Sequence, residues 1–152
     1  MFHPEVVNLS QLHLMAMTHQ GPAAQLPVTI DRFIAWRKAH HLSPLVSRTF
    51  NLVHDIPNTM GDLHLDLCVL VAADAPYSSG AVVRRVIPAG RYAWLRHRGS
   101  DAGLAGVVAS LEQWLLGQGE RRGDFPLVIE RSHFFPDVEE SEWILDVYLL
   151  LA

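Results

Sequence analysis

At 152 residues the chain is long enough to bury a real core, and 49% hydrophobic against 18% charged residues excludes a disordered chain. Twelve Lys and Arg against 16 Asp and Glu give a net charge of -4, which argues against direct nucleic-acid binding, because such proteins concentrate positive charge to neutralise phosphates. The basic patches are short, Arg84-Arg85 and Arg121-Arg122. No apolar run approaches the ~20 residues that span a bilayer. No basic stretch followed by an apolar one opens the chain, so a cytoplasmic protein with no membrane contact is expected. The single cysteine, Cys68, cannot form an internal disulfide and sits in the run LCVLV, where a buried core thiol is expected.

In chain order, a first strand is predicted over about residues 11–20, stopped by Gly21-Pro22. A helix follows from Pro27, a residue suited to a first helical turn, to about His41. Its expected apolar stripe is Ile30, Phe33 and Ile34, flanked by Trp36. Strands near 46–54 and 63–72 come next, joined by IPNTMGD as a hairpin loop. The second half copies this order. A long strand over 82–98 passes Pro88-Ala89-Gly90 and ends at Gly99. Ser100 or Asp101 caps a helix carrying Leu104, Val108, Leu111 and Leu115 at helical spacing, with Trp114 beside the stripe. Strands near 126–135 and 142–151 finish the chain, joined by PDVEES.

The halves also match residue by residue. At a shift of 78, His19, Gly21, Phe33 and Trp36 meet His97, Gly99, Leu111 and Trp114; at a shift of 80, Asp66 meets Asp146. We read a single domain over 1–152 built from two pseudo-repeats, about 8–75 and 82–152. The fold class is α+β: duplicated β-α-β-β units forming a curved antiparallel sheet with two helices on one face. The other face is left without helices, and grooves between repeated halves are common ligand sites.

Strand alternation sorts the side chains by face. In the last strand Ile144, Asp146, Tyr148 and Leu150 share one side, while Trp143, Leu145, Val147 and Leu149 form an apolar side that suits packing under a helix. Tyr92, Trp94 and Arg96 share a side of the long strand, and Glu130, Ser132 and Phe134 share one of the penultimate strand. If these sets meet, they form an aromatic box with two acids. A carboxylate in low dielectric attracts a cation more strongly than one in water. Aromatic faces add about 0.5 to 2 kcal/mol each through cation–π attraction. The predicted ligand residues are therefore Asp146, Glu130, Trp94, Tyr92, Tyr148 and Phe134. For Asp146 the competing role is a carboxylate satisfied by an arginine, with Arg96, Arg98 and Arg131 as candidates. For Glu130 the competing role is a structural hydrogen bond, and the residues alone, with no family in view, favour ordinary core for Tyr92, Trp94, Tyr148 and Phe134. Asp66 is expected to be a solvated strand residue, and Trp36 and Trp114 to be core. Nine histidines show no metal-ligating spacing, so no metal and no cofactor is expected. There is no phosphate-binding loop, dinucleotide fingerprint or nucleophile elbow.

The segments PAGRYAWLRHRG, LEQWLL, PLVIERSHF and WILDVYLLL, in that order and spacing, resemble the GyrI-like small-molecule-binding domains, best over about 82–151 and more loosely before. That family includes the bacterial DNA gyrase inhibitor and effector-binding domains of AraC- and MerR-type regulators. The resemblance implies two β-α-β-β units with a cleft that takes amphiphilic, often cationic compounds. Where the family often has Phe-Glu-x-Tyr, this chain has Ile129, Glu130, Arg131 and Ser132: the acid is present and the tyrosine is not. Where the last strand often carries a Glu, this chain has Asp146. With no helix-turn-helix in view, a role in sensing through a partner or in sequestration is implied. The alternatives are a hydrolase of reactive small molecules, with Glu130 as general base beside Trp94 and Tyr148, and a protein-interaction modulator such as a topoisomerase inhibitor.

Overall fold

The first strand of each repeat breaks in two, and each leading piece pairs away from the strand that follows it. In the computed structural model, which describes residues 3–55, 61–77, 80–133 and 139–152, β1 (Glu5–Leu9) precedes β2 (Leu12–Pro22), and β5 (Val83–Ile87) precedes β6 (Gly90–Arg98). β1 pairs with β6, and β5 pairs with β2. The expected single strand over 82–98 is therefore two strands. Pro88 has no N–H to donate to a ladder, and Gly90 takes φ +156°, a backbone angle that side-chain-bearing residues rarely adopt. The strand over 5–9 is an element that the sequence pattern did not single out.

The chain divides into two units, Gln11–Ile87 and Met1–Ser10 with Pro88–Ala152. The first holds β2, α1 (Leu26–Ala39), β3 (Thr49–Asp55), β4 (Asp62–Val71) and β5. Its strands run in the order β5-β2-β4-β3, all antiparallel. The second holds β1, β6, α2 (Leu104–Gly117), β7 (Leu127–His133) and β8 (Ile144–Leu150), in the antiparallel order β1-β6-β8-β7. The two orders correspond strand for strand. This is an α+β duplication: each unit is a four-stranded antiparallel sheet with one helix. The hairpin loop expected at 56–62 falls mostly, and that at 136–141 partly, outside the described residues.

In the second unit α2 packs on β6. Its predicted stripe is real: Val108, Leu111 and Leu115 are buried, and Leu145, Val147 and Leu149 of β8 are each 0% exposed. In the first unit the stripe differs. Ile30 and Ile34 are exposed, while Phe33 and Arg37 are buried. Phe33 joins Met15, Met17, Leu67 and Val69 in the core, with Trp36 packed against them. Arg37 lies where the repeat has Leu115, and its guanidinium is consumed by the chain that leaves the helix. Its Nε donates to Leu42 O at 2.7 Å, Nη1 to Thr49 Oγ1 at 2.8 Å and Nη2 to Ser47 O at 3.1 Å. Burial pulls its pKa down to about 10, still far above neutral, so the group stays charged.

The shared H-x-G closes the strand-to-helix corner in both units. Gly21 and Gly99 take φ +150° and +123°, and the histidine two residues before each reaches the carbonyl three residues ahead of itself. His19 Nε2 lies 3.0 Å from Pro22 O, and His97 Nε2 lies 2.9 Å from Ser100 O. Ser100 also accepts from Ala102 N at 3.3 Å, capping the short 3-10 turn that leads into α2. The His97 ring fills the space beside Gly103: a Cβ there would sit 2.8 Å from Cε1. Gly103→Ala should therefore destabilise the protein by about 1–3 kcal/mol despite removing a flexible glycine. In a His97→Ala background the penalty should largely vanish. Urea melts of the four proteins check both, and an equal penalty in both backgrounds refutes the packing account.

Candidate functional site

The ladders of the second unit bring the predicted acids and rings to one face. β8 is the central reference strand, because β6 and β7 both pair with it. Directly paired residues project to the same side of an antiparallel sheet. Trp94, Tyr148 and Val128 form one row, and Arg96, Asp146 and Glu130 form the next. Tyr92 pairs with Leu150, and Glu5 of β1 lies beside Trp94. None of these faces α2. The apolar set Leu145, Val147 and Leu149 faces α2 as expected.

Asp146 is 4% exposed, so its charge must be satisfied where it stands. Trp94 Nε1 donates to Oδ1 at 3.0 Å, and Arg96 donates from Nε to Oδ1 at 2.9 Å and from Nη2 to Oδ2 at 3.3 Å. Of the three arginines considered from sequence, Arg96 is thus the partner. Arg98 is exposed, and Arg131 points to the helix side, where it grips Asp101 at 2.6 and 2.9 Å. The Arg96 side chain keeps 39% of its surface exposed, and its guanidinium lies 5.7 Å from the centre of the Trp94 ring. The Asp146 hydrogen bonds, together with the negative charges of Asp146 and Glu130, raise the Arg96 pKa above its ordinary value; burial opposes this.

Of the rings, Trp94 and Tyr148 are half-buried, and Glu130 is also partly exposed. Tyr92 is 0% exposed, meets Tyr148 edge-on at 6.3 Å, and donates its hydroxyl to Pro88 O at 2.6 Å. Burial pushes its pKa up to about 12, so the phenol stays protonated at neutral pH. Its place is behind Tyr148 rather than at a surface. Phe134 lies outside the described residues. The assembled set is thus Trp94, Tyr148, Arg96, Asp146 and Glu130, with Tyr92 as backing.

Asp66, the repeat mate of Asp146, is not a solvated residue: it is 0% exposed. Thr18 Oγ1 donates to Oδ1 at 2.5 Å, while His54 Nε2 and Arg85 Nε reach Oδ2 at 3.0 and 3.3 Å. Thr18 is paired with Asp66 as Arg96 is with Asp146, so the duplication keeps the geometry and changes the partners. The His54 ring also stacks on His64 at 4.3 Å. The expectation of a solvated strand residue is thus corrected; the equivalence of Asp66 to Asp146 in the repeat was the signal for a buried carboxylate. Cys68, on the same side, is buried and free, and desolvation raises its pKa well above the usual thiol value, which makes it an inert core group. Among the described residues no cluster of three His, Cys, Asp or Glu side chains could hold a metal ion. No helix among them is long and apolar enough to cross a membrane.

A duplicated α+β unit whose helix-free face carries rings beside carboxylates is the architecture of a small-molecule-binding domain. The GyrI-like small molecule binding domain family matches residues 2–152, and the chain belongs to it. It is 27% identical over 151 residues to a probable transcriptional regulator, YgiV, of Escherichia coli K12, covering 97% of this chain and 94% of that one. Its fold is similar to the C-terminal domain of EcmrR, with a TM-score of 0.81 at 15% identity, covering 99% of this chain and 98% of that one. Against the EcmrR chain in a complex with DNA, the match covers 99% of this chain and 57% of that one, with a TM-score of 0.80 at 15% identity. A third similar fold is SAV2435 bound to tetraphenylphosphonium, with a TM-score of 0.62 at 9% identity over 99% of this chain and 94% of that one.

Asp66 yields a prediction on pH. Burial alone would raise its pKa, but the hydrogen bonds from Thr18 and His54, with the fields of His54 and Arg85, outweigh it and lower the pKa below the usual value. The stabilisation is therefore complete above the ordinary carboxylate range, about 3.9, and is lost as the pH falls through the lowered folded value. Asp66→Ala should cost about 2–4 kcal/mol at pH 7, discounted from a fully buried pair because Arg85 is 43% exposed. That penalty should shrink steadily below about pH 4. Denaturant melts of both proteins from pH 7 to pH 3 check this; a penalty independent of pH rules it out.

Proposed function

We propose that the face carrying Trp94, Tyr148 and Glu130 binds flat, amphiphilic organic cations, and that the protein acts inside the cell in sensing or sequestering them. The observation that carries this is the register of β6, β7 and β8, which sets a row with two partly exposed rings directly beside a row with two acids. A flat cation laid on these rings gains dispersion and cation–π attraction from Trp94 and Tyr148. Glu130 and Asp146, paired across β7 and β8, supply the opposing charge. Asp146 also positions the ring: accepting from Trp94 Nε1, it fixes the plane of the indole. Two comparisons support the reading. The family is one of small-molecule binders, and a protein of the same fold carries a lipophilic phosphonium.

Tetraphenylphosphonium should quench the tryptophan fluorescence saturably. Trp94→Ala should weaken its binding at least tenfold, the scale of about 1.4 kcal/mol. Glu130→Gln should weaken the cation by about the same factor while leaving uncharged triphenylphosphine oxide nearly unaffected. Titration calorimetry measures all three. Binding of the cation that ignores both substitutions would remove this face from consideration.

A further inference from the structure

The contacts that a ligand cation would seek on this face are already made by a side chain. The Arg96 guanidinium holds both oxygens of Asp146, at 2.9 and 3.3 Å, and lies 5.7 Å from the Trp94 ring centre. It also feels the negative field of Glu130. An aromatic face, a carboxylate pair and a cation are thus assembled without any ligand. Two features show that Arg96 is not a fixed strut like Arg37. Among the described residues its hydrogen bonds go to Asp146, whereas Arg37 is sewn into three carbonyl and hydroxyl oxygens of the chain around it. Its side chain is 39% exposed, whereas Asp146 keeps only 6% beneath it. The guanidinium lies between the carboxylate and solvent on a long, flexible stem, so it can swing aside without breaking the core.

We infer that Arg96 is a resident cation, an internal competitor that an organic cation must displace from Asp146 and Trp94 to bind. This rests on the ligand class proposed above and deepens it. Displacement sets a specificity rule. A ligand that brings only charge replaces one cation by another and gains nothing, because the tethered guanidinium is always present at high effective concentration. A ligand that brings charge with aromatic area gains what arginine lacks, a large apolar surface laid on Trp94 and Tyr148. A neutral aromatic leaves Arg96 where it is. The protein is thereby tuned to large lipophilic cations and against small ammonium ions.

The test compares wild type with Arg96→Met and Arg96→Gln by calorimetry, using tetraphenylphosphonium, tetramethylammonium and uncharged triphenylphosphine oxide. Far-ultraviolet circular dichroism and a thermal melt establish that each variant is folded. Arg96→Gln keeps a donor toward Asp146, and so serves where the methionine variant does not fold. Removing the guanidinium should tighten tetraphenylphosphonium about tenfold, bring tetramethylammonium into measurable range, and change the neutral probe less than twofold. If the wild type binds tetraphenylphosphonium and the folded variants bind it equally or more weakly, the resident-cation inference is overturned while the proposed ligand class stands. If neither wild type nor variants bind any lipophilic cation, both fall. Binding by the variants alone supports the inference in its strongest form, with Arg96 as a complete block.

Discussion

A carboxylate placed in the middle of an apolar strand constrains the whole site around it. Asp146 and Asp66 occupy equivalent positions on β8 and β4, each flanked along the strand by residues that build the core. Leaving either charge unmatched in such surroundings costs several kcal/mol, so the neighbouring strands must present donors at those rows. They do, and with different chemistry. Around Asp146 the donors are an indole and a guanidinium. Around Asp66 they are a hydroxyl, an imidazole and a guanidinium from the far side of β2. The acid is the shared element of the repeat, and its partners are where the two halves have parted.

That divergence explains why the halves present such different surfaces despite matching strand orders. In the second unit the donors are flat and partly exposed, so satisfying Asp146 also orients an aromatic plane. In the first unit the hydroxyl of Thr18 takes the cross-strand position held by Arg96, and Leu52 takes that held by Glu130. Leu52 is 2% exposed and removes the second acid from that row. One repeat thus keeps a charged, ring-lined row, while the other closes over its carboxylate.

Much of this was legible in the sequence, for physical reasons that separate the successes from the misses. Strand alternation is strict, so sorting β8 by parity placed Asp146 with Tyr148 and away from α2, and sorting β6 and β7 the same way assembled the face. The α2 stripe was legible because four apolar residues recur at helical spacing on a helix with no buried charge. On α1 the same logic failed, because the residue that completes the buried stripe is Arg37, and a buried arginine is announced only by the backbone oxygens that surround it in the fold. Pro88-Ala89-Gly90 was read as lying within one long strand, although it is where the strand breaks, and the exchange of β1 and β5 was not legible either, since pairing between distant strands leaves no local periodicity. The choice among Arg96, Arg98 and Arg131 could not be made until register showed that Arg131 projects toward α2 and that Arg96 sits opposite Asp146.

The partial exposure of Arg96 decides how strongly this face can prefer one ligand over another. An ion pair with a side chain 39% exposed contributes only about 0–1 kcal/mol net, because water already screens and solvates the guanidinium. An aromatic ligand that buries about 150–250 Å² of apolar surface gains roughly 4–6 kcal/mol at about 25 cal/mol per Å². The first magnitude is small enough for the second to overcome, whereas a cation that brings no apolar area has no such gain to set against it. Had Arg96 been buried as deeply as Arg37, moving it would cost several kcal/mol of stranded charge and the face would be a closed core. Had position 96 been a neutral residue, Asp146 would be an unmatched buried charge, and the empty protein would carry that cost itself. A half-exposed arginine satisfies the carboxylate without any ligand, and under the inference drawn above it is also the group that a larger, greasier cation would displace.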